Sequence, residues 1–145
     1  MRILIDGDGC PVVELAASVG KEKGIEVILF CDTTHFFARE DIKVVTVSKG
    51  NDAVDFKIVN EVKAGDIIVT QDYGLAAMGL ARGAKPIHQN GFTFTEKNID
   101  QLLFLRHMGK EIRRQGIRTK GPKKRTYEQN HAFKKALIAL VEEGL

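Results

Sequence analysis

Tryptophan is absent from this chain, cysteine occurs twice, proline three times and histidine four times, and each scarcity closes off a class of protein. Cys10 and Cys31 make neither a disulfide framework nor a paired metal-ligand motif. His35, His88, His107 and His131 form no HxH or HxxxH pair, so no zinc site is expected; His88, at the end of a strand, is the one histidine worth following. No apolar run approaches the roughly 20 residues that cross a bilayer, and Met1 is not followed by a charged, then apolar, then cleavable leader. The expectation is a soluble protein of the reducing cytoplasm with no membrane partner. Aromatic residues are thinly interleaved with the basic C-terminal segment, where Tyr127 and Phe133 read as core or loop anchors and not as base-stacking platforms, which argues against sequence-specific single-strand readout.

What is present is enough for one core: 145 residues, 43% hydrophobic, suit a single domain spanning 1–145. Arg2–Asp6 (RILID), Ile25–Cys31, Ile42–Val47, Ile67–Thr70 and, more weakly because of Pro86, Ala84–His88 are apolar runs of strand length. Near-continuous apolar strands imply burial on both faces, hence a mainly parallel sheet. Helix-compatible stretches alternate with them. One runs from Pro11 to about Lys23, one over 51–63 with Val54, Ile58, Val59 and Val62 on a stripe, and one over 73–82, whose small residues allow close approach to a sheet. A longer helix is expected from Thr95 to about Gln115, and a last one from Tyr127 with Phe133, Leu137, Leu140 and Val141 on one face. The pattern predicts an α/β fold with about five strands in the order 3-2-1-4-5, followed by a basic helix–loop–helix over about 95–145.

Charge is divided along the chain. Residues 1–100 carry 11 Lys+Arg against 15 Asp+Glu, and residues 101–145 carry 11 against 4. Between Arg106 and Arg125 stand nine basic residues and one acid, Glu111, around the Gly121-Pro122 loop. A basic tail on an acidic body is the footprint of a protein that grips a polyanion. Arg113, Arg114, Arg118, Lys120, Lys123, Lys124 and Arg125 are the candidate phosphate contacts.

The acids give that grip a chemistry. Asp6, Asp8, Asp52, Asp55 and Asp72 stand where parallel strands should end and helices begin. In an open α/β sheet those ends share one edge, and ligands bind there at the topological switch point. Asp8, Asp52 and Asp72 each have an ordinary reading as helix N-caps, and Asp55 as a first-turn partner of the helix dipole. Asp6 is harder to explain, because an acid ending a buried strand is desolvated unless paired or metal-bound. Five carboxylates in one crevice repel unless a cation joins them. An oxygen-only donor set selects Mg²⁺ or Mn²⁺, with Asp6, Asp8 and Asp72 as ligands. Cys10 before Pro11 reads as packing rather than as a nucleophile.

Ile5–Val12 (IDGDGCPV), Asn51–Val59 (NDAVDFKIV), Ile67–Gly83 (IIVTQDYGLAAMGLARG) and Gly116–Pro122 (GIRTKGP) together resemble the bacterial YaiI/YqxD family, which is assigned to the PIN-like superfamily of metal-dependent nucleases. The resemblance implies a three-layer α/β/α sandwich. It puts Asp6 and Asp72 at the PIN-like acidic positions, Asp8, Asp52 and Asp55 at the family's further acids, and Thr70 beside Asp72 as a supporting residue. The chain departs from the family at Gly7 and Gly9, where alanines are usual, and at Asn130, where an arginine is expected.

These features lead to a metal-dependent phosphodiesterase acting on nucleic acid, with RNA ranked ahead of DNA. Two alternatives stand beside it. Asp6-x-Asp8, with Asp66 and Asp72 as a late acidic motif, imitates a haloacid-dehalogenase-like phosphatase, although Cys10 occupies the usual hydroxyl position and no flap follows the first strand. The other is a nucleic-acid-binding module without turnover.

Overall fold

The structure is a computed structural model that describes residues 1–33, 40–50, 52–117 and 124–145. The five apolar runs form strands: β1 (Arg2–Asp6), β2 (Glu26–Asp32), β3 (Lys43–Val47), β4 (Ile67–Val69) and β5 (Lys85–Ile87). All pair in parallel in the expected order β3-β2-β1-β4-β5. Pro86 is tolerated because β5 lies at the sheet edge, where a missing N–H removes no ladder bond.

Strand alternation decides the layers. Ile3 and Ile5 of β1 point to the face covered by α1 (Val13–Lys23) and α5 (Tyr127–Gly144), where Val13, Ala16 and Val19 meet Phe133, Leu137 and Val141. Leu4 points the other way, with Ile28, Phe30 and Ile68, onto Val54 and Ile58 of α2 (Ala53–Glu61) and Leu75 of α3 (Tyr73–Ala81). The small-residue character of α3 has the expected use. A Cβ on Gly79 would stand 2.6 Å from Ile68 Cδ1, so a larger residue there would force the end of the Ile68 side chain out of its packed position.

The helix α4 (Ile99–Arg114) begins four residues later than the sequence suggests. Thr95 and Asn98 bond reciprocally, each backbone N–H donating to the other's side chain at 2.8 and 3.2 Å. The Thr95 carbonyl accepts the Ile99 N–H at 2.9 Å, so this is a turn of capping-box type, and continuous helix begins one turn later, at Ile99. The last helix starts as expected and is fixed by a capping box between Thr126 and Gln129. Its Leu140 is only partly buried, whereas Phe133, Leu137 and Val141 are sealed. Among the described residues no helix is long and apolar enough to cross a membrane.

Candidate functional site

β1 and β4 are neighbours whose chain continuations leave toward opposite faces, and the residues after them hold the first part of the site. The Thr70 hydroxyl donates to Asp6 Oδ2 at 2.9 Å and accepts the Asp72 backbone N–H at 2.9 Å, so one side chain ties the ends of both strands together. Asp72 N-caps α3, its Oδ1 accepting from Leu75 N at 3.0 Å. Gly7 extends the pairing of β1 through an N–H to the Phe30 carbonyl oxygen, 2.8 Å. A Cβ at Gly7 would lie 2.6 Å from that oxygen, so here the glycine lets the loop bearing Asp8 press against β2.

Asp52 and Asp55 enter from α2. Asp52 stands at the N-cap position but in left-handed backbone, φ 60°, and its side chain makes no cap bond. The ordinary explanation for an aspartate there is therefore not realised, and the residue holds a conformation that non-glycine residues seldom adopt. Together the acids line one cleft of about 710 Å³, in which Asp6, Asp8, Asp52, Asp55 and Asp72 share the walls with Gln71, Tyr73 and His88.

The acids affect one another. Burial raises the Asp6 carboxyl to about 6, with the charges of Asp8 and Asp72 adding and the hydrogen bond from Thr70 opposing. Asp55 is pushed to about 7, first by burial, then by the charges of Asp72, Asp6 and Asp52, and by a carboxyl–carboxyl contact with Asp72. Burial and the neighbouring like charges thus make full ionisation of the cleft costly, and a bound cation would offset that cost. Among the described residues no three His, Cys, Asp or Glu side chains converge into a ready metal cage. Even so, the donors are hard oxygens in mutual repulsion, which fits an ion such as Mg²⁺ that retains several waters and needs only one or two carboxylates.

The other wall is α4, and it contains residues that sequence reasoning passed over. Arg106 Nη1 lies 3.7 Å from Asp72 Oδ1, and its guanidinium stands 5.9 Å from the centre of the Tyr73 ring. Tyr73 is held edge-on by Phe94 at 5.5 Å and His88 at 6.4 Å. His88 stacks on Phe92 at 4.3 Å and accepts the Asn90 N–H on Nδ1, and burial first, then Arg125, lowers it to about 4. It is thus a neutral ring. Arg106 opens the basic run, but only the α3–α4 contact reveals that it faces Asp72.

The basic candidates divide. Arg113 lines the cleft; Arg114 is exposed and pairs with Glu111 at 3.0 Å; Lys124 is exposed; Arg118, Lys120 and Lys123 lie outside the described residues. Arg125 makes protein contacts. Its Nε donates to Asn130 Oδ1, Nη1 to Asn90 Oδ1 at 2.9 Å and Nη2 to the Gln89 carbonyl at 2.6 Å. These bonds fasten the start of α5 to the loop after β5. Arg125→Ala should therefore lower stability by about 1–2 kcal/mol in urea unfolding, while Lys124→Ala leaves the midpoint unchanged; equal effects would remove the bracing role.

Two readings from the sequence are narrowed. Burial raises the Cys10 thiol to about 11, which suits packing and not a thiolate nucleophile. Asp66 is 3% exposed at the amino end of β4, where it accepts from Arg2 N, Arg2 Nη2 and Lys63 N at 3.0, 2.7 and 2.9 Å. It sits at the opposite end of that strand from Asp72, so the two cannot form the late acidic motif of a haloacid-dehalogenase-like site.

The chain is a doubly wound, all-parallel α/β domain with an acid-lined cleft at its switch point. It belongs to the family described as "Uncharacterized BCR, YaiI/YqxD family", whose model matches residues 4–143. Its relatives include proteins named UPF0178 from Exiguobacterium sibiricum, 54% identical over 99% of this chain and 98% of the relative, and from Enterococcus faecalis, 45% identical over the full length of both. A crystal structure of Rae1 (YacP) from Bacillus subtilis aligns over 100% of both chains, at 13% identity and a TM-score of 0.45.

Proposed function

We propose that this protein is a PIN-like, metal-dependent phosphodiesterase that cuts nucleic acid, RNA in preference to DNA, in the cleft at the carboxyl edge of its sheet. The observation that carries the reading is geometric: Asp6, Asp8, Asp52, Asp55 and Asp72 line one cleft at the switch point, with Thr70 tying Asp6 to Asp72, and burial together with neighbouring like charges raises Asp6 and Asp55. One or two of Asp6, Asp8 and Asp72 would hold Mg²⁺ or Mn²⁺ directly, with the other acids of the cleft, Asp52 and Asp55 among them, acting on its retained waters. Such an ion, once bound, lowers the pKa of water and polarises a phosphoryl oxygen.

The chain's own groups supply the rest. Thr70 keeps Asp6 and Asp72 in fixed relation. Arg106 and Arg113 face the cleft and would take phosphate oxygens. Arg114, Arg118, Lys120, Lys123 and Lys124 would extend the grip along the backbone, with Arg125 anchoring the segment.

The direct test is calorimetric titration with Mn²⁺, joined to a cleavage assay on a single-stranded RNA. Binding and metal-dependent cutting are expected together; strand binding without either would leave a non-catalytic module. Arg106→Gln sharpens the test, because the arginine and the ion compete for Asp72. Mn²⁺ affinity should rise about two- to fivefold while strand affinity falls and its salt slope drops by about one. Parallel changes in both affinities would contradict this assignment of Arg106.

A further inference from the structure

The acidic cleft does not end at Asp72. It continues into a second lobe of about 450 Å³ between α2, α3 and α4, and the two lobes share Asp52, Asp55, Asp72 and Arg106. Beyond that junction the chemistry changes. Phe56, Met78 and Leu103 give the second lobe an apolar surface, and Lys110 and His107 stand at its α4 side.

Phe56 is the unusual residue. Helical spacing sends Val54 and Ile58 of α2 into the core and leaves Phe56, next to Asp55, 60% exposed. Met78 of α3 lies with it at 39% exposure. A phenylalanine side chain left in water gives up roughly 1.5–3 kcal/mol of burial, and single apolar residues on a surface are common. This one, however, lines a pocket continuous with five carboxylates and edged by cations. An aromatic face one residue from an acid pair, with Arg106 and Lys110 alongside, matches a nucleotide: a base for the ring and a phosphate for the cations.

Resting on the nuclease reading, we propose that the second lobe is a nucleobase subsite. It receives the base flanking the phosphate held at the Asp55–Asp72–Arg106 junction, with Phe56 as its stacking face and single-stranded nucleic acid as the ligand. Both lobes open to solvent and meet at that junction, so the strand continues on either side of the phosphate. The substrate bond is then an internal one, and the strand must be unpaired, because a paired base cannot turn its face to Phe56.

The test uses the full chain in EDTA at low salt, with a 12-nucleotide single-stranded RNA carrying one 2-aminopurine and the same sequence as a duplex. Phe56→Ala should weaken single-strand binding about tenfold and abolish the stacking quench of the probe fluorescence. Phe56→Tyr should restore both, and duplex binding should not change with either variant. Equal affinity of Phe56→Ala and wild type for the single strand, or an equal loss on single strand and duplex, would overturn the subsite and leave the nuclease proposal standing. If the wild-type protein binds neither strand nor duplex, the nucleic-acid reading itself fails.

Discussion

Replacing Asp6 and Asp72 together by asparagine is expected to lower metal-dependent cleavage by at least about a thousandfold while the fold and strand binding survive. The prediction is selective because asparagine keeps the neutral geometry of both sites. In the Asp6→Asn change the side-chain amide oxygen still accepts the Thr70 hydroxyl that now bonds Asp6 Oδ2. Asparagine is also as good an N-cap as aspartate, so the bond from Leu75 N to position 72 survives. What disappears is two negative charges, and with them the electrostatic reason for a divalent ion to bind. Strand affinity in EDTA should hold or tighten, since the phosphates no longer face those charges. The measurement is a cleavage time course beside circular dichroism and a binding isotherm. A double variant that cuts at the wild-type rate would show that the acids at the switch point are not the catalytic centre.

Much of this site was legible because strands and their ends are local features. Near-continuous apolar runs such as RILID and IEVILFC mark buried parallel strands, and parallel strands place their carboxyl ends on one edge, so the sequence alone puts Asp6 and Asp72 on the same edge. Continuous helix in α4 starts at Ile99, one turn after the reciprocally bonded pair Thr95 and Asn98, and composition does not decide whether such a turn runs straight into the helix. Arg106 was one basic residue among nine, and nothing local separates it from Arg114; only the packing of α4 on α3 puts it over Tyr73 and beside Asp72. Arg125 likewise became a brace through Asn90, 35 residues away. Phe56 did carry a signal. It is an aromatic off the Val54–Ile58 stripe, and an apolar residue on the polar side of a helix next to a candidate acid invites a functional question.

The second large effect concerns stability, and its sign follows from the direction of the carboxyl shifts. Asp6 and Asp55 ionise at about 6 and about 7 in the folded metal-free protein, against an ordinary 3.8 that the unfolded chain retains. Below about pH 4 both states hold these protons and the two groups contribute nothing. As pH rises through the window from 3.8 to about 7, the unfolded chain releases its protons first, so stability falls, and above pH 7 the penalty is complete. Metal-free protein should therefore melt lower at pH 8 than at pH 5. Asp55→Asn should raise the pH 8 melting temperature by about 3 °C, corresponding to roughly 1 kcal/mol once solvent screening of this half-buried group is allowed for, and should leave the value at pH 4 unchanged. Mn²⁺ acts in the opposite sense, because it binds the ionised acids: its stabilising effect should grow between pH 5.5 and 8. Scanning calorimetry over that range, with and without the ion, reads both trends. A pH-independent gain from Asp55→Asn would mean that its charge is not held against repulsion. In that case the cleft would lack the electrostatic strain that a cation is proposed to relieve.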